Sequence, residues 1–350
     1  HQRKVNAGNL PEERYNEWNA ALERPLRLPG KASMDAELGA LGLSVAETGH
    51  GDALHEASRG LLKAWFVWLK ESAAARQWSE QLGLLEKQAR AVQRRQQLGD
   101  AARLEAVQAD AAQAQAEAQL AQARVRKAIA LEDLRRRFPG LPLEEPASIA
   151  EPPAITGGES EWLEAILEHS HELGIARGEA RRATVAASRA GQERLPDPTL
   201  GIQISSERGG EEHVLGAYVS IPLPGESRRA TAAATLAGAD AASHREAAAL
   251  QKVGAEAAAL FQTAKSTQLT WRASHDAAER LNRAADMTAR AYQLGEGNLN
   301  ELLAARRLAN EAQLAAALAR LEAMEMRYRL MLDAHRLWVF DEAQHEDRRH

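Results

Sequence analysis

Apolar and small residues recur at seven-residue intervals along one long segment in each half of the chain. The interval from Leu250 gives Ala257, Ala264, Trp271, Ala278, Ala285 and Tyr292, and the interval from Leu54 gives Leu61, Trp68, Ala75, Leu82 and Ala89. Such a repeat is typical of helices that pack as coiled coils. The pattern therefore predicts two long helices with close axes, in which Trp65, Trp68 and Trp271 pack against neighbours. The segment 226–293 would extend on the order of 100 Å at the rise of an α-helix.

Two segments of the second half alternate in the manner of strands. Leu200, Ile202 and Ile204 alternate with Gly, Gln and Ser, and a similar alternation runs from Leu215 to Ile221. The sequence RGGE at 208–211 predicts a hairpin turn between them. In the first half, residues 15–27 are predicted as the matching second strand of a hairpin, with Trp18 on one face.

The two halves form a repeat offset by roughly 195 residues. Leu28-Pro29-Gly30 matches Leu223-Pro224-Gly225, where a strand is predicted to turn into a helix. Leu98-Gly99-Asp100 matches Leu294-Gly295-Glu296, where one helix is predicted to end and the next to begin. After these tip turns Glu105 corresponds to Glu301, and each lies in the first turn of a helix, where a carboxylate favours the helix dipole by about 0.3 to 1 kcal/mol.

The predicted organisation is mainly α with a small β part, in two tandem repeats. The first repeat, 1–140, contains a strand hairpin at 1–28, a helix at 31–96, a tip turn at 97–102 and a helix at 103–137. A linker follows at 141–160. The second repeat, 161–338, contains a helix at 161–193, a hairpin at 198–223, a helix at 226–293, a tip turn at 294–299 and a helix at 300–337, before a tail at 339–350. No counterpart of the 161–193 helix precedes the first hairpin, so we expect this chain to be an N-terminally truncated part of a longer protein.

The composition and the absence of known motifs limit the classes of function that this chain can have. The 350 residues carry a net charge of −5, which gives no bias toward nucleic acid, and they contain no Cys. No segment approaches the ~18 to 20 apolar residues of a membrane-spanning helix, so any membrane contact would be made by strands. The sequence lacks the motifs of nucleotide-binding loops, hydrolases and zinc proteases, and we predict no enzyme and no cofactor. His169 and His171 are predicted on different helix faces, and His50 and His55 are poorly spaced for one ion, so no metal site is predicted.

These features resemble the TolC-like outer membrane factors. The resemblance covers essentially the whole chain and rests on LERPLRLPGKA, SIPLPGESRRA, LPDPTLGI, LGDAARLEAVQA and LGEGNLNELLAARR. Gly followed six residues later by an acidic residue and an apolar helix start is typical of the periplasmic tips of this family. The sequence looks closest to the branch that serves metal-exporting pumps.

The resemblance implies a homotrimer in the Gram-negative outer membrane. Four strands per chain would close one transmembrane β-barrel in contact with outer membrane lipid, and the helices would form a long α-helical coiled-coil barrel in the periplasm. It implies a passive channel, opened at the tip residues Leu98 to Asp100 and Leu294 to Glu296 by a periplasmic adaptor, and energised by an inner-membrane transporter, most often of the RND type. Glu301 and Glu105 would be gate or selectivity residues, although Ala304 occupies a second position that is often acidic in the family.

Two alternatives remain open on the sequence. The strand hairpins could belong to a soluble protein, with one face packed on the helices. The chain could also be a soluble periplasmic adaptor or scaffold with a helical hairpin, although an adaptor has one such hairpin and this chain has two.

Trp18 is predicted to belong to an interfacial aromatic belt if the strands cross a membrane.

Overall fold

The computed structural model describes residues 2–4, 14–146, 149–223 and 225–337. The predicted corner residue Pro224 and the tail at 339–350 therefore lie outside the described residues, as does most of the first half of the hairpin predicted at 1–28.

Six α-helices dominate the described part of the chain. They are α1 (Lys31–Gln97), α2 (Arg103–Arg137), α3 (Glu159–His169), α4 (His171–Gln192), α5 (Glu226–Leu294) and α6 (Leu299–Asp333). Across the residues described, none of these helices carries a segment long and apolar enough to cross a membrane.

The helix predicted at 161–193 is in fact two helices. Ser170 adopts an extended backbone conformation between α3 and α4, with φ −67° and ψ 111°. The break lies within the polar run from Glu168 to Glu172, which has no apolar residue to bury, and Ser is a weak helix former because its side chain competes for backbone hydrogen bonds. The prediction of a single helix at 161–193 was therefore wrong at Ser170.

The last helix is shorter than the predicted 300–337. It ends at Asp333 because His335 adopts a left-handed conformation with φ +52°. The His335 N–H donates to Leu332 O at 3.0 Å and the Arg336 N–H donates to Met331 O at 2.8 Å. This pair of bonds is the Schellman arrangement, which closes a helix and turns the chain away.

Five strands form two small antiparallel sheets. β1 (Gln2–Lys4) pairs with β2 (Arg14–Asn16), while β3 (Trp18–Pro25), β4 (Thr199–Glu207) and β5 (Glu212–Ser220) form a sheet in the order β3-β4-β5. The strand predicted at 15–27 is thus interrupted at Glu17. A short 3-10 turn at Arg208–Gly210 joins β4 to β5. The pairing of β3 with β4 joins the first repeat to the second.

The chain divides into two compact units. One contains residues 1–51 and 171–251, with the three-stranded sheet, and the other contains 52–170 and 252–350. In the first unit α4 packs closely on α1, since a Cβ added at Gly178 would meet Val45 Cγ2 at 2.6 Å.

The second unit holds the main apolar clusters. Trp68, only 2% exposed, lies in one of them, and Trp65 contacts it edge to face with ring centroids 5.0 Å apart. The buried residues of α5 follow the predicted seam: they include Ala257, Ala264, Trp271, Ala278 and Ala285. The predicted packing role of these tryptophans is confirmed.

Candidate functional site at the tips and corners

The first tip turn is made by Leu98, Gly99 and Asp100. Gly99 has φ +87°, a conformation that costs a residue with a Cβ about 1 kcal/mol or more. Its N–H donates to Gln96 O at 3.1 Å, and the Asp100 N–H donates to Arg95 O at 2.8 Å. These two bonds close α1 in a Schellman motif, and α2 begins three residues later.

The second tip turn repeats this geometry. Gly295 has φ +80°, and the Glu296 N–H donates to Ala291 O at 2.9 Å. The next helix begins differently in the two tips. Asn298 Oδ1 accepts a hydrogen bond from the Glu301 N–H at 2.9 Å, whereas Ala102 has no side chain with which to cap α2. The helix after the second tip therefore has a side-chain cap that the helix after the first tip lacks.

The two tips pack on each other. A buried cluster joins them, made of Ala89, Val92, Ala106, Ala109, Leu299 and Leu302. The leucines of the turns point outward instead, with Leu98 72% exposed and Leu294 70% exposed. Exposed apolar side chains on a rigid turn suit contact with another protein.

A polar cluster connects the ends of three helices beside this apolar contact. Arg95 of α1 donates from Nη1 to the Tyr292 hydroxyl of α5 at 2.9 Å, and from Nη2 to Asp100 O at 3.0 Å. The carboxylate of Glu105 lies next to the Tyr292 hydroxyl, and its Oε2 is enclosed. Burial raises the pKa of Tyr292, and the charge of Glu105 adds to this effect while Arg95 opposes it.

Glu105 and Glu301 therefore differ, although they occupy equivalent positions in the repeat. Glu105 is half-buried in the cluster with Tyr292, whereas Glu301 is exposed and contributes its backbone N–H to the Asn298 cap. Of this equivalent pair, only Glu301 presents an exposed side chain at the tip. Sequence comparison of the halves could not distinguish them, because the partner Tyr292 lies 187 positions away from Glu105.

The first strand-to-helix corner contains a buried charge that sequence reasoning missed. Gly30 has φ +90°, and Lys31, which begins α1, is 1% exposed. Lys31 Nζ donates to Leu195 O and to Asp197 Oδ1, both at 2.8 Å, and lies 3.3 Å from Glu193 Oε1. The Leu28 N–H also donates to Asp197 Oδ1, at 2.9 Å. The corner thus holds the start of α1 against the segment that precedes β4.

Two carboxylates of this corner are strongly held in their charged form. The Lys31 ammonium, helped by the Leu28 N–H, lowers the pKa of Asp197. Hydrogen bonding to Arg189 and then to Lys31 lowers the pKa of Glu193 despite partial burial. A buried ammonium requires such partners, because an isolated charge in the interior is costly.

The three-stranded sheet has one continuous apolar face. Leu22 lies opposite Ile202, which lies opposite Ala217, and the neighbouring rows place Ala20 beside Ile204 and Leu215. Most of this face is exposed, including Trp18, Leu22, Leu200, Ile202, Ile204, Leu215 and Val219. The other face is polar, and there the Tyr218 hydroxyl donates to Glu23 Oε1. A sheet of this size in a water-soluble protein would instead bury its apolar face and expose its polar face.

Three histidines that are distant in sequence meet in the second unit. The His335 ring lies 4.9 Å from that of His169 and 5.5 Å from that of His55, measured between centroids, and His55 Nε2 is 3.6 Å from Asp333 Oδ1. Among the residues whose placement is described, no group of three or more His, Asp or Glu side chains has a geometry that could hold a metal ion.

The fold is shared with solved outer membrane channels. The outer-membrane channel OprN is 20% identical in sequence, with 95% of this chain and 79% of OprN covered and a TM-score of 0.80. The CmeC outer membrane channel of Campylobacter jejuni is 15% identical, with 99% and 78% covered and a TM-score of 0.79. The outer membrane protein VceC of Vibrio cholerae is 18% identical, with 95% and 84% covered and a TM-score of 0.75.

This chain therefore has the fold of the outer membrane channels, and the predicted resemblance to TolC-like outer membrane factors is confirmed at the level of the fold. Comparison with protein-family models and with curated proteins finds no match.

Proposed function

We propose that the protein is a passive channel of the Gram-negative outer membrane, which carries substrates across that membrane and the periplasm as part of a tripartite efflux system. The observation that supports it most is the exposed apolar face of the β3-β4-β5 sheet, on a chain with the fold of outer membrane channels. Lipid is the natural neighbour of such a face, and the polar face with Tyr218 and Glu23 suits a water-filled interior. No catalytic step is proposed.

The proposed assembly is a homotrimer. Sheet edges cannot remain open in lipid, because each unpaired backbone group costs several kcal/mol there. Only Glu17 separates β2 from β3. If these two segments are counted as one strand, each chain offers four strands, since β1 pairs with β2 and β4 and β5 pair beyond β3. Three copies would supply twelve strands, enough for a closed transmembrane β-barrel, and their helices would surround a coiled-coil tunnel.

The tips are the proposed docking site for a periplasmic adaptor protein. Leu98 and Leu294 supply exposed apolar contacts, Asp100 and Glu296 supply charge, and Gly99 and Gly295 fix the turns. An inner-membrane transporter, of the RND type, would provide the energy through the adaptor. Replacement of Leu98 and Leu294 by Ser should abolish co-purification with the adaptor and leave the thermal midpoint unchanged, because neither side chain is packed. Leu104→Ser, another exposed leucine close to the first tip, is the matched control.

Glu301 is the proposed selectivity residue. In a trimer three copies of this exposed carboxylate would lie near the axis, and a ring of carboxylates attracts cations and repels anions. Glu105 is less suited to the same role, because its carboxylate is partly enclosed and lies next to the Tyr292 hydroxyl. Transport of metal ions stays a prediction from the family resemblance.

The proposal is tested by fractionation and size measurement of the protein expressed in a Gram-negative cell. We expect detergent-extractable protein in the outer membrane fraction, with a mass that corresponds to three chains plus detergent. A soluble periplasmic monomer would support the alternative, an adaptor or scaffold protein, and would refute the channel.

A further inference from the structure

A cavity of about 340 Å³ lies where α4 ends and α5 begins. It is lined by Gly191, Arg194, Leu195, Gly225, Arg228 and Arg229. Three of these six residues are arginines, and none is acidic. The guanidinium group binds phosphate well, since its planar set of donors matches two phosphate oxygens at once.

The carboxylates next to the cavity do not neutralise it. Arg228 Nη1 donates to Glu193 Oε2 at 3.2 Å, but the same carboxylate is also 2.6 Å from Arg189 Nη1 and 3.3 Å from Lys31 Nζ. Arg189 also pairs with Asp35 and Lys31 with Asp197, each at 2.8 Å, so Glu193 is the one carboxylate bound to Arg228, and Arg228 shares it with these two cations. Arg229 pairs with Glu226 at 3.0 Å and is 64% exposed, and Arg194 forms no ion pair with any residue that the structure describes. An excess of positive charge remains at the mouth of the cavity.

Exposed apolar side chains lie beside the arginines in the sequence and at the ends of the strands. Leu195 lines the cavity itself, and Ile221 and Leu223 follow the end of β5; all three are strongly exposed. If β4 and β5 cross the outer membrane as proposed above, the cavity lies close to the level at which these strands leave the lipid. Basic groups next to apolar ones at that level match a lipid, whose phosphate lies at the interface and whose chains lie in the membrane.

We infer that this cavity binds the phosphate group of an anionic phospholipid, with Arg194, Arg228 and Arg229 as its ligands and Leu195, Ile221 and Leu223 against the acyl chains. The inference rests on the proposed function, because it requires the strands to lie in a membrane. It identifies a lipid site at the second strand-to-helix corner of each chain.

The first corner lacks this site, although it is built by the same repeat. Ser33 and Met34 occupy the positions equivalent to Arg228 and Arg229. The cations there already have partners: Lys31 is buried and bonded to Leu195 O and Asp197, and Arg27 pairs with Asp35 at 3.2 Å. The arginines of the second corner are therefore not required by the turn itself.

Thermal unfolding of the purified chain in dodecyl maltoside micelles tests the inference. Phosphatidylglycerol should raise the thermal midpoint by about 3 °C or more, because a ligand that binds only the folded state stabilises it. Phosphatidylcholine, which has no net charge, should have little effect, and raising the salt concentration should reduce the effect of phosphatidylglycerol. Replacement of Arg194, Arg228 and Arg229 by Gln should abolish the shift. The control replaces Arg280, Arg283 and Arg290, three exposed arginines of α5, by Gln and should retain it.

Arg194→Gln alone is included because Arg228 also contacts Glu193, so that the triple variant could weaken the corner. We expect the single change to reduce the shift by at least half while the midpoint without lipid stays the same. An equal shift with phosphatidylcholine, an equal shift with inorganic phosphate, or a full shift in the triple variant would each overturn the inference. These results are independent of fractionation: a soluble periplasmic protein would refute the proposed channel, whereas an outer membrane protein without a phosphatidylglycerol preference would refute only the lipid site.

Discussion

Lys31 Nζ donates a hydrogen bond to Asp197 Oδ1 at 2.8 Å across 166 positions of sequence. The contact joins the first residue of α1 to the segment before β4, and it is nearly closed to solvent on the lysine side. The same ammonium satisfies Leu195 O. A single side chain thus fixes the corner at which β3 and β4 lie side by side.

Lys31→Met should therefore destabilise the protein. The change keeps most of the side-chain volume but removes the donor to Leu195 O and leaves Asp197 Oδ1 with only the Leu28 N–H. Loss of one partner of a buried pair is strongly destabilising. We expect the thermal midpoint to fall by about 5 °C or more. Lys87→Met, at an exposed position of α1, is the control and should change it little. Equal midpoints for the two variants would show that the corner pair contributes no net stability.

Stability should decrease in acid through the same corner. The pKa values of Asp197 and Glu193 are lowered in the folded state, so both groups stabilise the fold at any pH above their unfolded values of about 4. That contribution is lost as the pH falls through the lower, folded values. Thermal midpoints measured from pH 6 to pH 2.5 should decline below about pH 4. Asp197→Asn should flatten this decline and lower the midpoint at pH 6, while Asp240→Asn, at an exposed site on α5, should leave the curve unchanged.

Tyr292→Phe should loosen the tip. It removes the hydroxyl that accepts a hydrogen bond from Arg95 and lies beside Glu105, and so removes the polar link between α5 and the ends of α1 and α2. A hydrogen bond to a charged group contributes about 1.5 kcal/mol, which would change the ratio of closed to open tips roughly tenfold. Single-channel recordings should show a higher open probability than in the wild type. Tyr328→Phe, which removes a hydroxyl from a different apolar cluster, should not. An unchanged open probability in Tyr292→Phe would exclude the cluster as a constraint on the tip.

Glu301→Gln should lower the preference for cations. The exposed carboxylate contributes negative charge at the tip, and the amide keeps its size and leaves the backbone N–H that Asn298 caps in place. Reversal potentials measured in planar bilayers under a salt gradient should move toward the value expected for a channel that does not distinguish cations from anions. Glu105→Gln provides the comparison, with a smaller expected effect because that carboxylate is partly enclosed. Identical reversal potentials in the wild type and Glu301→Gln would remove Glu301 from the selectivity site.

The helical part of the fold could be predicted well because its signals are local. Seven-residue spacing identified the buried seam through Ala264 and Trp271, and Gly99 and Gly295 marked turns that require positive φ. The break at Ser170 could not be predicted in this way, since Ser is tolerated in helices and carries no Pro-like prohibition. The early end of α6 at Asp333 depends on the positive φ of His335, a conformation that is uncommon for any residue except Gly.

The candidate sites were predictable only in part. The repeat located the tip turns and the corners, but it treated Glu105 and Glu301 as equivalent, and it gave Lys31 and the arginines at 228 and 229 no role. The roles of Glu105 and Lys31 depend on neighbours that are distant in sequence: Tyr292 lies beside Glu105, and Asp197 accepts a hydrogen bond from Lys31.

By itself the sequence determined the long helices and their seams, the β4-β5 hairpin and the tip turns, because periodicity and the conformations open to Gly and Pro act over a few residues. Only the tertiary structure decided that β3 pairs with β4, that Lys31 is buried, and that Arg95 meets Tyr292. Those outcomes depend on which charges and strand edges the fold brings together, and on the cost of leaving a buried charge or an unpaired edge without a partner.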